Sequence, residues 1–182
     1  MNRYIAFLRA INVGGRTVKM AELRALFTGM GFAGVESFIA SGNVIFASSD
    51  ADAAALQARI EEELRRALGY EVATFLRSDA EVAAIARYEP FPAPQIEAAS
   101  ALNVALLANP LTQEEAHKVM ALRTPIDDFH VNDREVYWLC RVKQSESTFS
   151  NTVFERSIGK RATFRGMNTM QKLAAKYPAA TR

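Results

Sequence analysis

The chain has 182 residues and a mass of 20.1 kDa, enough for one domain or two small ones. Hydrophobic residues make up 49% and charged residues 23%, which excludes disorder, collagen and a continuous coiled coil. The net charge is only +2, yet residues 134–182 hold ten basic and three acidic side chains, so this stretch carries +7 and the rest −5. A positive stretch attracts phosphates, nucleic acid or an acidic partner; it equally makes a well-solvated surface. Cys140 is the single cysteine, so there is no internal disulfide and no cysteine cluster for zinc. No apolar run reaches the roughly 20 residues a membrane helix needs. The opening residues, Asn2 to Arg9, are too short and interrupted for a signal peptide. A reducing cytoplasm is the expected compartment.

The first half reads as strand Tyr4 to Leu8, helix Met20 to Met30, strands Val35 to Ala40 and Val44 to Ala47, helix Asp52 to Leu68 and strand Val72 to Leu76. The first helix shows apolar residues three and four apart at Met20, Leu23, Leu26, Phe27 and Met30. The second carries a stripe of Leu56, Ile60, Leu64 and Leu68. Gly31 and Gly69 end them. Strands two and three are joined only by Ser41-Gly42-Asn43, so they are antiparallel; a parallel crossover needs a dozen residues or more. The order β-α-β-β-α-β with that hairpin argues against a doubly wound sheet and favours a ferredoxin-like plait.

Ser78 to Glu81 has the spacing of a capping box and predicts a short helix. Pro90, Pro92 and Pro94 then predict a stiff extended connector. After it the order repeats: strand Leu102 to Leu107, a helix capped by Thr112 and Glu115 and ending near Leu122, and strands Phe129 to Val131 and Glu135 to Val142. A helix from Phe149 to Ile158, a strand from Ala162 to Phe164 and a last helix capped at Asn168 complete it. The expected fold class is α+β, two ferredoxin-like (βαββαβ, α/β plait) halves with mainly antiparallel sheets. The expected domains are residues 1–88 and 102–182, joined by a proline-rich linker at 89–101.

Tyr4, Ala6 and Leu8 alternate with Ile5 and Phe7, so both faces of that strand are apolar. Val136, Trp138 and Cys140 alternate with Tyr137 and Leu139 in the same way. A sheet with one wet face would alternate apolar and polar. Plait helices cover one face only, so the other must be covered too, by the second sheet or by another chain.

Three segments could carry chemistry. Between the first strand and first helix lie Arg9, Asn12, Gly14, Gly15 and Lys19. Glycines allow close backbone approach, and a loop entering a helix aims amides and partial positive charge at an anion. The spacing is neither a Walker A nor a G-x-G-x-x-G motif. A tight connection would use the same glycines. Ser41, Gly42 and Asn43 form the second segment; they also suit a plain turn. The third is Arg165 with Asn168 and Thr169, an arginine beside a helix start. His117 and His130 lie too far apart for a metal motif, and Cys140 reads as a small buried hydrophobe. No cofactor or metal is expected, and no residue pattern names a reaction.

The segments LRAINVGG (Leu8 to Gly15), KMAELR (Lys19 to Arg24), SGNVIF (Ser41 to Phe46) and TFRGMNTMQKL (Thr163 to Leu173) resemble the uncharacterised bacterial family called domain of unknown function 1697. The resemblance implies the same two plait halves and carries no function with it. Arg9, Asn12, Gly14, Gly15, Lys19, Ser41, Gly42, Asn43, Thr163, Arg165, Asn168 and Thr169 match the family motifs. Gly166 and Met167 stand where Asn and Trp are typical.

The residues favour a protein that binds an anionic small molecule, a nucleotide or phosphorylated metabolite, at the Gly-Gly loop and the basic late motif. A structural or interaction module, such as a homodimer, is the alternative. Nucleic acid is disfavoured, because Asn43 to Ala47 lacks the aromatic pair of an RNA-recognition strand. No membrane partner is expected.

Overall fold

Each half of the chain builds one four-stranded antiparallel sheet. The computed structural model describes residues 1–12, 14–39 and 42–180. In the first half the order is β1 (Asn2–Leu8), α1 (Met20–Gly29), β2 (Ala33–Ser37), β3 (Asn43–Ser48), α2 (Ala53–Leu68) and β4 (Thr74–Ser78). The sheet runs β2-β3-β1-β4, with every neighbour antiparallel. Helices α3 (Asp79–Arg87) and α4 (Ala93–Ala98) follow. The second sheet is built by β5 (Ala101–Leu106), α5 (Gln113–Met120), β6 (Asp127–Asn132), β7 (Glu135–Cys140), α6 (Asn151–Ile158) and β8 (Thr163–Gly166), with α7 (Met167–Lys176) last. Its order, β6-β7-β5-β8, repeats the first. The chain is therefore α+β, with two ferredoxin-like plaits.

The helices form where caps and stripes coincide. The Asp52 carboxylate accepts from the Ala54 and Ala55 amides at 3.1 and 3.0 Å and opens α2. Leu56, Ile60 and Leu64 then face the sheet, and Gly69 stops the helix in the left-handed region at φ 81°. Ser78 and Glu81 exchange hydrogen bonds at the start of α3, as their spacing predicts. The proline connector is not wholly extended: α4 forms within it, with Pro94 in its first turn, where no amide donor is needed. Strand β2 closes at Ser37, short of the expected Ala40. The Phe38 amide already meets the Asn43 carbonyl, and Ile39 turns away at φ 59°.

Two compact units result: residues 1–83 with the chain from Leu173 onward, and Ala84–Lys172. The returning segment is tied into the first unit. Tyr177 donates to Glu36 at 2.7 Å, and Arg3 donates to the Pro178 carbonyl at 3.2 Å. The core of the first unit lies between its sheet and α1 and α2, with Tyr4, Ala6, Leu8, Val44, Phe46 and Leu76 from the strands. The other face is equally dry. Ile5, Phe7, Ile45 and Phe75 are at most 2% exposed, and in the second unit Val104, Leu106, Tyr137 and Leu139 are fully buried. Each such side chain contributes about 1.5–3 kcal/mol when removed from water.

The two plaits match position by position. Ile5 pairs with Arg77 as Val104 pairs with Arg165. Both arginines are buried. Each donates to the carbonyl of the residue before it, Leu76 at 2.8 Å and Phe164 at 2.9 Å. The outer strands are blocked alike: Glu61 accepts from the Thr74 amide at 2.8 Å, and Glu155 from the Ala162 amide at 3.1 Å. Such carboxylates occupy amides that would otherwise recruit a foreign strand.

A buried carboxylate organises the second unit. Asp127 accepts from Trp138 Nε1 at 2.8 Å, from the Ser147 hydroxyl at 2.8 Å and from the Thr124 hydroxyl at 3.1 Å. Asp127→Ala orphans these donors and should cost roughly 2–4 kcal/mol in urea unfolding. The fluorescence of Trp138 should shift to the red in the folded state. A loss below about 0.5 kcal/mol would show that the cluster is not structural.

The capping box of α5 has a second partner. Glu115 accepts from the Thr112 amide at 2.8 Å and from Lys160 Nζ at 2.7 Å. Lys160, then the Thr112 amide, hold the Glu115 carboxyl below its usual range. A carboxyl lowered by folding stabilises fully above its unfolded value, about 4.3, and stops stabilising as pH falls through the lowered one. In Glu115→Gln the melting temperature should therefore drop at pH 7, while the further loss on acidification should be smaller than in the native protein.

Candidate functional site

The two plaits differ in how the first strand reaches the first helix, as they do before the second helix, where residues 49–52 correspond to 141–150. In the second unit residues 107–112 make the connection, and α5 is closed by Thr112 and Glu115 in a reciprocal capping box. In the first unit residues 9–19 make it, and Lys19, the cap residue of α1, makes no side-chain cap bond. The start of α1 thus has no cap from its own cap residue, an exposed cation.

The loop is firmly rooted. The Leu8 amide donates to the Gly42 carbonyl and the Arg9 amide to the Ala73 carbonyl, both at 2.9 Å. Ile11 and Val18 are buried and serve as its two feet. Asn12 Oδ1 accepts from the Val18 amide at 2.7 Å and closes the neck. The Tyr70 hydroxyl donates to the Ile11 carbonyl at 3.2 Å. Between the feet Gly14, Gly15, Arg16 and Thr17 are exposed. Gly14 and Gly15 sit at φ 63° and 80°, and a Cβ on either would meet open space. Their requirement is for backbone conformation, not for room. The Arg16 guanidinium lies over the Tyr70 ring, 4.3 Å from its centroid. Glu22 is the acidic group in the first turn of α1 and opposes these cations.

The other candidate residues do different work. Gly42 is buried at φ 79°, and a Cβ there would come within 3.1 Å of Ile11 and 3.2 Å of Leu8. Asn43 is buried, and its amide donates to the Phe38 carbonyl at 2.9 Å. Ser41 lies outside the described residues. Arg165, in the second unit, donates to the Thr163 hydroxyl at 2.7 Å as well as to the Phe164 carbonyl. Burial pulls its guanidinium down to about 10. Asn168 does not cap the last helix as expected. The helix opens at Met167, and Asn168 is its second residue, exposed, with Thr169 half-buried behind it. Sequence reasoning missed Tyr70 and Arg16 as a pair, because Tyr70 lies far along the chain, beyond α2.

His117 is exposed on α5, whereas His130 and Cys140 are engaged in the fold. Tyr88 and His130 share a hydrogen bond of 2.8 Å. The Cys140 thiol donates to the Val142 carbonyl at 3.0 Å, and burial pushes its pKa up, away from reactivity. Among the described residues no group of three or more His, Cys, Asp or Glu side chains could hold a metal ion. No helix among them is long and apolar enough to cross a membrane.

The topology, the loop and the repeated lattice define a tandem plait protein. Comparison with known proteins is consistent with this. The family model described as "Protein of unknown function (DUF1697)" matches residues 1–137, and the chain belongs to that family. The late Thr163 to Leu173 motif lies beyond the matched span. A solved structure, that of the conserved bacterial protein SP0830 from Streptococcus pneumoniae, superposes with a TM-score of 0.80 at 24% identity, covering 98% of this chain and 99% of that one. No curated protein matches.

Gly42→Ala tests how the loop is seated. It forces a side chain into the left-handed region and against Ile11 and Leu8, so it should cost about 1–3 kcal/mol in urea unfolding. Gly14→Ala meets the left-handed backbone but no neighbouring atom, and should cost less.

Proposed function

We propose that the protein binds a small anionic ligand, a nucleotide or a phosphorylated metabolite, at the Gly14-Gly15 loop of the first unit. The observation that carries this reading is the contrast within one chain. The connection into α5 is short and capped by its own side chains. The connection into α1 is longer, has glycines at positive φ, presents Arg16 and Lys19, and leaves the helix start without a side-chain cap. Backbone amides at a helix start, the helix dipole and adjacent cations all favour a phosphate or carboxylate. Arg165 is left out of the ligand set, since it is buried and bonded to its own strand. The reading sits in a cytoplasmic setting, where such metabolites are abundant and Cys140 would stay a thiol.

Thermal unfolding against inorganic phosphate, pyrophosphate, nucleotides, sugar phosphates and carboxylates at fixed ionic strength tests it. A ligand at 100 times its Kd adds about 2.7 kcal/mol to the folded state, several degrees for a chain of this size. The shift should be largely lost in Lys19→Ala, with the unliganded melting temperature little changed. A response retained in full by Lys19→Ala would place the anion elsewhere.

A further inference from the structure

We propose that Lys176–Pro178, the segment where α7 ends, is a latch across the outer face of the first sheet, and that it opens as a unit of its own before the plait unfolds. The inference is independent of the anion site. Strand register places its two fastening points on one face. Arg3, Ile5 and Phe7 alternate along β1, Ile45 of β3 lies opposite Ile5, and Glu36 of β2 lies opposite Ile45. This is the face turned away from α1 and α2, whose core takes Tyr4, Ala6 and Leu8. The chain leaving α7 meets that face at both sides. The Tyr177 hydroxyl donates to Glu36 at 2.7 Å. Arg3, which also lies 3.9 Å from Asp79, donates to the Pro178 carbonyl at 3.2 Å. Lys176 adds a third hold: its Nζ lies 3.8 Å from Glu36 and 5.5 Å from the centre of the Phe38 ring. Because Arg3 lies opposite Ala47, a line from Glu36 to Arg3 crosses β3 between Ile45 and Ala47.

The nature of the holds makes the segment a latch rather than a piece of the core. Tyr177 is 7% exposed; its ring gives the apolar hold and its hydroxyl reaches the rim. The polar holds stand in solvent: the side chains of Lys176, Glu36 and Arg3 are 52%, 54% and 43% exposed. Exposed charge pairs of this kind each contribute little. Residues 177–180 belong to no strand or helix, so no ladder ties them to the sheet. A segment with one buried side chain and solvated fastenings opens at a fraction of the global stability. The ladder β2-β3-β1-β4 is complete without it. Opening therefore uncovers the outer side of β3 while the sheet persists. While shut, the segment excludes any other chain from that part of the face.

Hydrogen exchange of single amides in the full chain, read by nuclear magnetic resonance over a series of low urea concentrations, tests the latch. The amide of residue 177 donates to the Leu173 carbonyl at 2.8 Å and reports the segment; those of Ala6 and Phe46, in the β1–β3 pair, report the sheet. In the native protein residue 177 should exchange faster than the sheet amides and with a smaller dependence on urea, the sign of a small separate opening. Tyr177→Phe keeps the ring and loses only the hydroxyl. In it, and in Glu36→Ala, residue 177 should exchange roughly tenfold faster, the loss of one hydrogen bond to a charged group. The double variant should exchange no faster than Glu36→Ala alone. If residue 177 keeps its native rate in both single variants, its exchange reports only a fraying helix end and the latch is wrong. If it matches Ala6 and Phe46 in rate and urea dependence, the segment opens only with the plait, which equally overturns the proposal. A chain stopped after Ala175 should still protect Ala6 and Phe46 while the Ile45 methyl signals move; a sheet left unprotected in that chain would show that the segment is core.

Discussion

Everything else in this protein follows from strands that are apolar on both faces. In β1 the residues Tyr4, Ile5, Ala6, Phe7 and Leu8 are all buried, and β7 is buried along its whole length. A plait with one wet face can bind ligands across its strands, as RNA-recognition modules do. That route is closed here, because Ile5, Phe7, Ile45 and Phe75 are removed from solvent. The ends of the strands, where connections enter helices, are what the sheets leave exposed. The Gly14-Gly15 loop lies at one such end.

The repeat shows which features belong to the scaffold. Arg77 and Arg165 look like functional arginines in isolation. Their equivalent registers and their bonds to the preceding carbonyls mark them as a repeated element of the fold. Glu61 and Glu155 are likewise a repeated guard on the outer strands. The connection into α1 is not repeated, and neither is the stack of Arg16 on Tyr70. Departure from the internal copy is thus a stronger pointer than charge alone, in a chain where charge is plentiful.

Much of this was legible in the residues. The antiparallel hairpin at Ser41-Gly42-Asn43 fixed the plait, and the boxes at Ser78 and Thr112 marked true helix starts. The misses share a cause, tertiary pairing that overrides local pattern. Val35 to Ala40 reads as a strand, yet the chain leaves the sheet after Ser37 with Ile39 at a φ that a branched residue adopts only under constraint. Asn168 has the chemistry of a cap, but β8 runs straight into the helix and places it inside the first turn. The loop residues of the site were visible as glycines and cations. Their support was not: Tyr70 comes from beyond α2, and nothing local links it to Ile11 or Arg16. Nor does the pattern around Arg77 announce a buried charge.

The return of the chain from Leu173 to the first unit makes that unit discontinuous. Arg3 meets Asp79 within the first stretch of this unit, but the Pro178 carbonyl that it also reaches, and the Tyr177 hydroxyl that reaches Glu36, follow Ala84–Lys172 in the chain. The second unit is continuous and can complete itself while its neighbour is still waiting for Tyr177 and Pro178. Order along the chain thus differs from order of completion: the four strands of the first sheet can pair before the last contacts of that unit close. Contacts so distant along the chain are slow to close and carry a high entropic cost. Until residues beyond Lys172 return, the first plait is held by its own sheet and helices alone, and that interval is when a chaperone would have most to protect.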